Sequence, residues 1–86
     1  MIQFLNRIRR IIVNYSSNGF EFNMHGEVFG VRDEEDSFRF DIEGYEISLP
    51  AIALNEQLWK DENGKPFLHY NNEETELDIE VLEIAS

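Results

Sequence analysis

Cysteine is absent, lysine and proline each occur twice, and no apolar run approaches the ~20 residues of a membrane span. The missing cysteine excludes a disulfide scaffold, thiol catalysis and any thiolate metal site, and it suits a reducing compartment. We therefore expect a cytoplasmic protein. Glycine-rich phosphate loops are also missing, because the five glycines are dispersed singly as turn and bulge residues. No Gly-x-Ser-x-Gly elbow surrounds any serine, and His25 and His69 are the only imidazoles. The sequence is thus poorly equipped for catalysis, and we expect neither an enzyme nor a bound cofactor.

What remains is an 86-residue chain with 18 acidic and 7 basic residues, a net charge of −11. Hydrophobic residues make up 42% of it, including seven Phe, three Tyr and one Trp, which is enough to fold despite the charge. A chain this short forms one domain, 1–86. The charge is uneven. Residues 1–19 hold Arg7, Arg9 and Arg10 and no acid, a net of +3, whereas residues 20–86 hold four basic residues against all 18 acids, a net of −14.

Stepped at the helical period, Ile11, Phe4, Tyr15, Ile8, Ile12 and Leu5 fall on one arc, with Gln3, Asn6, Arg7, Arg10 and Asn14 opposite. This predicts an amphipathic helix over 2–16, stopped by Ser16, Ser17, Asn18 and Gly19. A membrane-surface helix, a transit peptide and a nucleic-acid-binding helix were weighed for this segment. A cover for the sheet that follows is preferred, since that sheet needs one face buried.

Period-2 alternation marks strands at Phe20–Met24, Val28–Val31, Phe38–Ile42, Tyr45–Leu49, Phe67–Tyr70 and Leu77–Val81. Glu43-Gly44 reads as a two-residue hairpin turn. His25-Gly26 reads as a turn, or as a bulge in one strand running through 20–31, and a second bulge is expected near Val81-Leu82. Residues 51–59 fit a short helix or a loop before a strand. The expected fold class is α+β: an N-terminal amphipathic helix on one antiparallel sheet, or half-open barrel, of five to six strands, with 20–84 strand-rich. Its core would be Phe4, Leu5, Ile8, Ile12, Phe20, Phe22, Phe38, Phe40, Ile42, Ile47, Trp59, Ile79 and Val81.

Metal sites fit poorly. Asp61, Asn63 and Gly64 begin like a calcium loop, but the glycine falls at position 4 and Asn72 stands where the closing glutamate belongs. Zinc has two histidines and no cysteine to draw on. The feature with functional leverage is the carboxylate pattern. Glu76, Asp78 and Glu80 share one strand face, spaced about 6.6–6.8 Å apart, and Asp41 and Glu43 repeat the spacing on another strand. With the run Asp33, Glu34, Glu35 and Asp36, these residues form a candidate partner-binding set. Aligned strands would make an anionic grid approaching the density of nucleic-acid phosphates, about one per 3.4 Å along a strand. Such a face fits a basic protein partner, such as a nuclease or another nucleic-acid-binding protein, and disfavours direct contact with nucleic acid or membrane. The expectation is an acidic interaction or inhibitor protein of the immunity-protein or phage-inhibitor class. The alternative is an assembly module that forms a homodimer or larger oligomer through its helix or a sheet edge.

Overall fold

The computed structural model describes residues 4–85. After a short 3-10 turn, Leu5–Arg7, the chain forms β1 (Ile8–Ser17), β2 (Phe20–Glu27), β3 (Phe29–Glu34), β4 (Ser37–Ile42) and β5 (Tyr45–Leu49). Two 3-10 turns, Ala51–Leu54 and Glu56–Leu58, lead into β6 (Trp59–Glu62), β7 (Lys65–Asn71) and β8 (Thr75–Ile84). The strands make a five-stranded sheet, ordered β2-β1-β8-β7-β6, and a three-stranded sheet, ordered β3-β4-β5. Every pairing is antiparallel.

The molecule is therefore nearly all β, which corrects the α+β expectation. No helix covers a sheet; each sheet covers the other. The segment expected to be a helix over 2–16 is strand β1 from residue 8 onward, paired with β2 on one side and β8 on the other. Residues 2 and 3 of that expected helix lie outside the described residues. A central strand is not a membrane-surface helix, and the helix named in the assembly alternative is absent from the described residues.

The reason is local. β1 pairs Ile8 with Ile84, Arg10 with Glu83 and Ile11 with Val81, so Arg9 is an extra residue on β1 and Leu82 is one on β8. The bulge at Arg9 turns Ile8 and Ile11 to the same face, a spacing of three that imitates a helix. Beyond it, the alternation is strict: Ile11 and Val13 are fully buried, Ile12 is half-buried and Asn14 is exposed. Asn18-Gly19 does not cap a helix. Both residues adopt left-handed backbone, φ 50° and 84°, as the two central residues of a type I′ hairpin turn between β1 and β2.

The bulge expected at Val81-Leu82 is present. Gly26 is no turn: it pairs with Ile11 inside β2, and His25 pairs with Ile12. The chain changes sheets two residues later, at Val28, whose N–H donates to the Arg9 carbonyl at 2.8 Å. β2 and β3 thus form one bent path feeding both sheets, so two sheets stand where one sheet or half-open barrel was expected.

Phe38 and Phe40 from the small sheet meet Ile8, Ile11, Val13, Leu68, Leu77, Ile79 and Val81 from the large one, and no polar side chain is buried among the described residues. Trp59 closes the space under the 3-10 turns, stacking near Phe38, meeting Phe4 edge-on at 5.2 Å and donating its indole N–H to the Ala53 carbonyl. Two expected core residues lie elsewhere. Ile12 points to the outer face of the large sheet, and Phe20 is 57% exposed at its edge. Ile11, Val13, Val28, Val31, Leu49, Ala53, Leu68 and Leu77 are buried although the expected core does not include them.

Candidate functional site

Residues directly opposite one another in an antiparallel ladder point to the same face. The register therefore fixes the outer face of the five-stranded sheet. On β8 it carries Glu76, Asp78 and Glu80, as the alternation predicts. Their neighbours on β1 are Ser16, Asn14 and Ile12, and those on β7 are Asn71, His69 and Phe67. No second acidic strand adjoins β8, so the expected grid reduces to a single anionic row between a polar strand and a mixed one.

Beside this row lies a solvent-open groove of about 610 Å³, lined by Ile12, Asn14, Phe67, His69, Asp78 and Glu80, and walled at one end by Glu62 and Lys65. His69 is hydrogen-bonded through Nδ1 to the Asp78 carboxylate. That bond, and then the charge of Asp78, raise the histidine's pKa above its ordinary value. The imidazole is 63% exposed. This is an acid–base pair without a nucleophile, since no serine or threonine hydroxyl among the described residues hydrogen-bonds to the ring. Glu76 and Glu80 form no ion pair among the described residues. No group of three or more histidine or carboxylate side chains among those residues is placed to hold a metal ion.

The other nominated carboxylates belong to the small sheet. On its outer face Arg32 reaches Glu34 at 2.9 Å, Asp41 at 3.5 Å and Glu46, while Arg39 reaches Glu35 at 3.0 Å and Glu46 at 3.2 Å. The hydrogen bond from Arg32 holds Glu34 below the usual carboxylate range, and the same bond raises Arg32. Glu35 and Asp36 are the central residues of the β3–β4 turn, with φ of 53° and 58°, and Glu43 is in the β4–β5 turn with φ 48°. Asp33 is exposed on edge strand β3. The structure therefore separates the nominated residues: Glu76, Asp78 and Glu80 lie together on the large sheet, and the other six lie on the small sheet and its turns. His69 was missed as a member of the β8 cluster, because only the β7–β8 register brings it to Asp78.

No protein-family model matches this chain, and no curated protein or solved structure does either. Among the described residues, no helix is long and apolar enough to cross a membrane.

Proposed function

We propose that the chain is a non-enzymatic acidic interaction protein, acting in the cytoplasm, whose large-sheet face covers a basic surface on a nucleic-acid-binding protein. This is the mode of an inhibitor of the immunity-protein or phage-inhibitor kind. The observation that carries the reading is the contrast between the two sheets. Arg32 and Arg39 draw Glu34, Glu35, Asp41 and Glu46 of the small sheet into ion pairs, whereas among the described residues Glu76 and Glu80 stand without an ion-pairing partner on either side of Asp78. Unpaired like charges along one strand do nothing for the fold, since self-repulsion opposes the compact state. Their spacing, about 6.6–6.8 Å, is roughly twice the phosphate step of one nucleic-acid strand. One row suits a line of arginine or lysine side chains that would otherwise follow a single strand. The groove beside it offers Phe67 and Ile12 to the methylene stems of such side chains.

The test compares the two faces. Calorimetry with an arginine-rich peptide, and with a panel of basic nucleic-acid-binding proteins, reads affinity against salt. Glu76→Lys with Glu80→Lys should abolish binding, and the matched pair Glu34→Lys with Glu35→Lys should leave most of it. Affinity should fall steeply as salt rises. Equal losses from both pairs, or no loss from the first, would defeat the reading.

A further inference from the structure

The molecule has four strand edges, and three of them are blunted. β6 is four residues long and carries Lys60, Asp61 and Glu62; β5 is five residues long and runs into Pro50; β3 is interrupted by a register shift between Phe29 and Arg32. β2 carries Glu21 and Glu27 but is longer and more regular than the other three. It runs eight residues without proline, lysine or arginine, and its register with β1 is unbroken. Long regular edges are rare in proteins that do not use them.

The turn fixes which backbone groups that edge presents. Ser17 and Phe20 close a two-residue hairpin and so form a hydrogen-bonded pair, and such pairs recur at every second residue. Phe20, Phe22, Met24 and Gly26 therefore bond to β1. The N–H and C=O groups of Glu21, Asn23, His25 and Glu27 point outward, and no hydrogen bond formed outside the ladder among the described residues reaches them. On the core side of the same strand Phe20 is 57% exposed, and Phe22 and Met24 are half-buried, because the three-stranded sheet does not extend over β2.

We propose that this edge pairs with β2 of a second copy of the chain, antiparallel about Asn23, joining two five-stranded sheets into one. The strand is self-complementary in that register. Each Glu21 faces His25 of the second copy, Phe22 faces Met24, and Phe20 lies opposite Gly26, which has no side chain of its own and has Ile42 beside it. Each alternative loses something. Centring on Met24 sets Glu21 against Glu27 at both ends. Centring on Phe22 shortens the ladder. A one-residue offset puts core-side residues opposite outward ones. The net charge of −11 on each copy opposes association, so salt strengthens this contact. Binding of a basic partner at the β8 row responds to salt in the opposite direction.

Sedimentation equilibrium over a wide concentration range, at low and high salt, reads the contact. A dimer that tightens with salt is expected, with slowed amide exchange at Glu21, Asn23, His25 and Glu27. His25→Glu puts like charges opposite each other twice and should weaken the dimer about tenfold. Adding Glu21→Lys to it sets an opposite charge across from each His25→Glu side chain and should restore pairing to within about threefold of the parent. Both positions are exposed, so neither change threatens the fold. A monomer at every concentration and salt overturns the proposal. So does a dimer that ignores His25→Glu, or a double variant no tighter than His25→Glu alone.

Discussion

Ile11 and Ile12 are adjacent, chemically identical and, on a helix, would share one apolar face. In β1 they face opposite sides of the sheet. Ile11 is fully buried between the sheets, opposite Val81 and Gly26, whereas Ile12 is half-buried on the outer face between His25 and Glu80. Ile11→Ala removes three carbons' worth of side chain. At about 0.8 kcal/mol each, that is ~2.4 kcal/mol of transfer free energy, and the cavity left in a core without polar groups brings the loss to about 3–4 kcal/mol. Ile12→Ala gives up about half the transfer and opens no cavity, because the site already adjoins a groove; about 1 kcal/mol is expected. Urea unfolding followed by tryptophan fluorescence measures both, and an unchanged m-value certifies the comparison. For a domain this small, a loss of 3–4 kcal/mol is a large share of the total stability, so the Ile11 variant should be partly unfolded well below the parent midpoint. Equal losses at the two positions would show that they share an environment, and the assignment of β1 as a central strand would fail.

Four further outcomes follow from particular contacts. Because His69 is raised by Asp78, its contribution to stability is fully present below the unfolded histidine value of 6.5 and is lost as pH rises through the folded value; Asp78→Asn should flatten that slope and bring the His69 titration, followed by NMR, back down. Glu34 is lowered by Arg32, so its contribution is present above 4.5 and lost as pH falls through its folded value; Arg32→Ala should raise the Glu34 titration towards the ordinary range. Gly44 has φ 86° and open space where a Cβ would stand, so Gly44→Ala should cost about 1 kcal/mol in thermal unfolding through backbone strain alone. Asp36 holds φ 58° in a turn that lacks glycine, and Asp36→Gly should gain about 0.5 kcal/mol by the same assay.

Most strands from residue 20 onward were legible because they alternate in sequence and end at a recognisable turn; β6, whose Trp59-Lys60-Asp61-Glu62 does not alternate, and the β2–β3 junction, which has no turn at His25-Gly26, were not. β4 and β5 are the plainest case: Phe38, Phe40 and Ile42 pair with Leu49, Ile47 and Tyr45 across Glu43-Gly44. β1 was illegible because two signals were ambiguous at once. A bulge at Arg9 gave Ile8 and Ile11 a helical spacing, and Asn18-Gly19 suits a helix end as well as a hairpin. The signal that could have decided between them is composition. Ile8, Ile11, Ile12 and Val13 are β-branched, and such side chains favour a pleated surface over a helix. Once β1 becomes a strand, the helix expected to cover the sheet disappears. The hydrophobic residues of the three-stranded sheet and of the link into it must then cover it, which is why Val28, Val31 and Leu49 are buried.

The candidate site was half legible for a similar reason. Alternation within β8 was enough to put Glu76, Asp78 and Glu80 on one face. What stands beside them depends on pairings between distant segments, and these put Asn14 and His69, not further carboxylates, on either side of Asp78. The same pairings distribute the arginines. β3 and β4 bring Arg32 and Arg39 opposite each other at the centre of the small sheet, an arrangement that would be repulsive without Glu34, Glu35, Asp41 and Glu46 around it. Much of the acidity there is thus accounted for by two cations of the same sheet. On the large sheet Arg10 stands in register between Glu27 and Glu83 at one end, Lys60 lies on edge strand β6 and Lys65 at the end of the groove, and His69 is the residue that contacts the middle of β8 through Asp78. The acidity of residues 20–86 is therefore divided by the fold between a small sheet whose two arginines tie up four carboxylates and a β8 row in which Glu76 and Glu80 form no ion pair among the described residues, and it is the second arrangement on which the proposed binding of a basic partner rests.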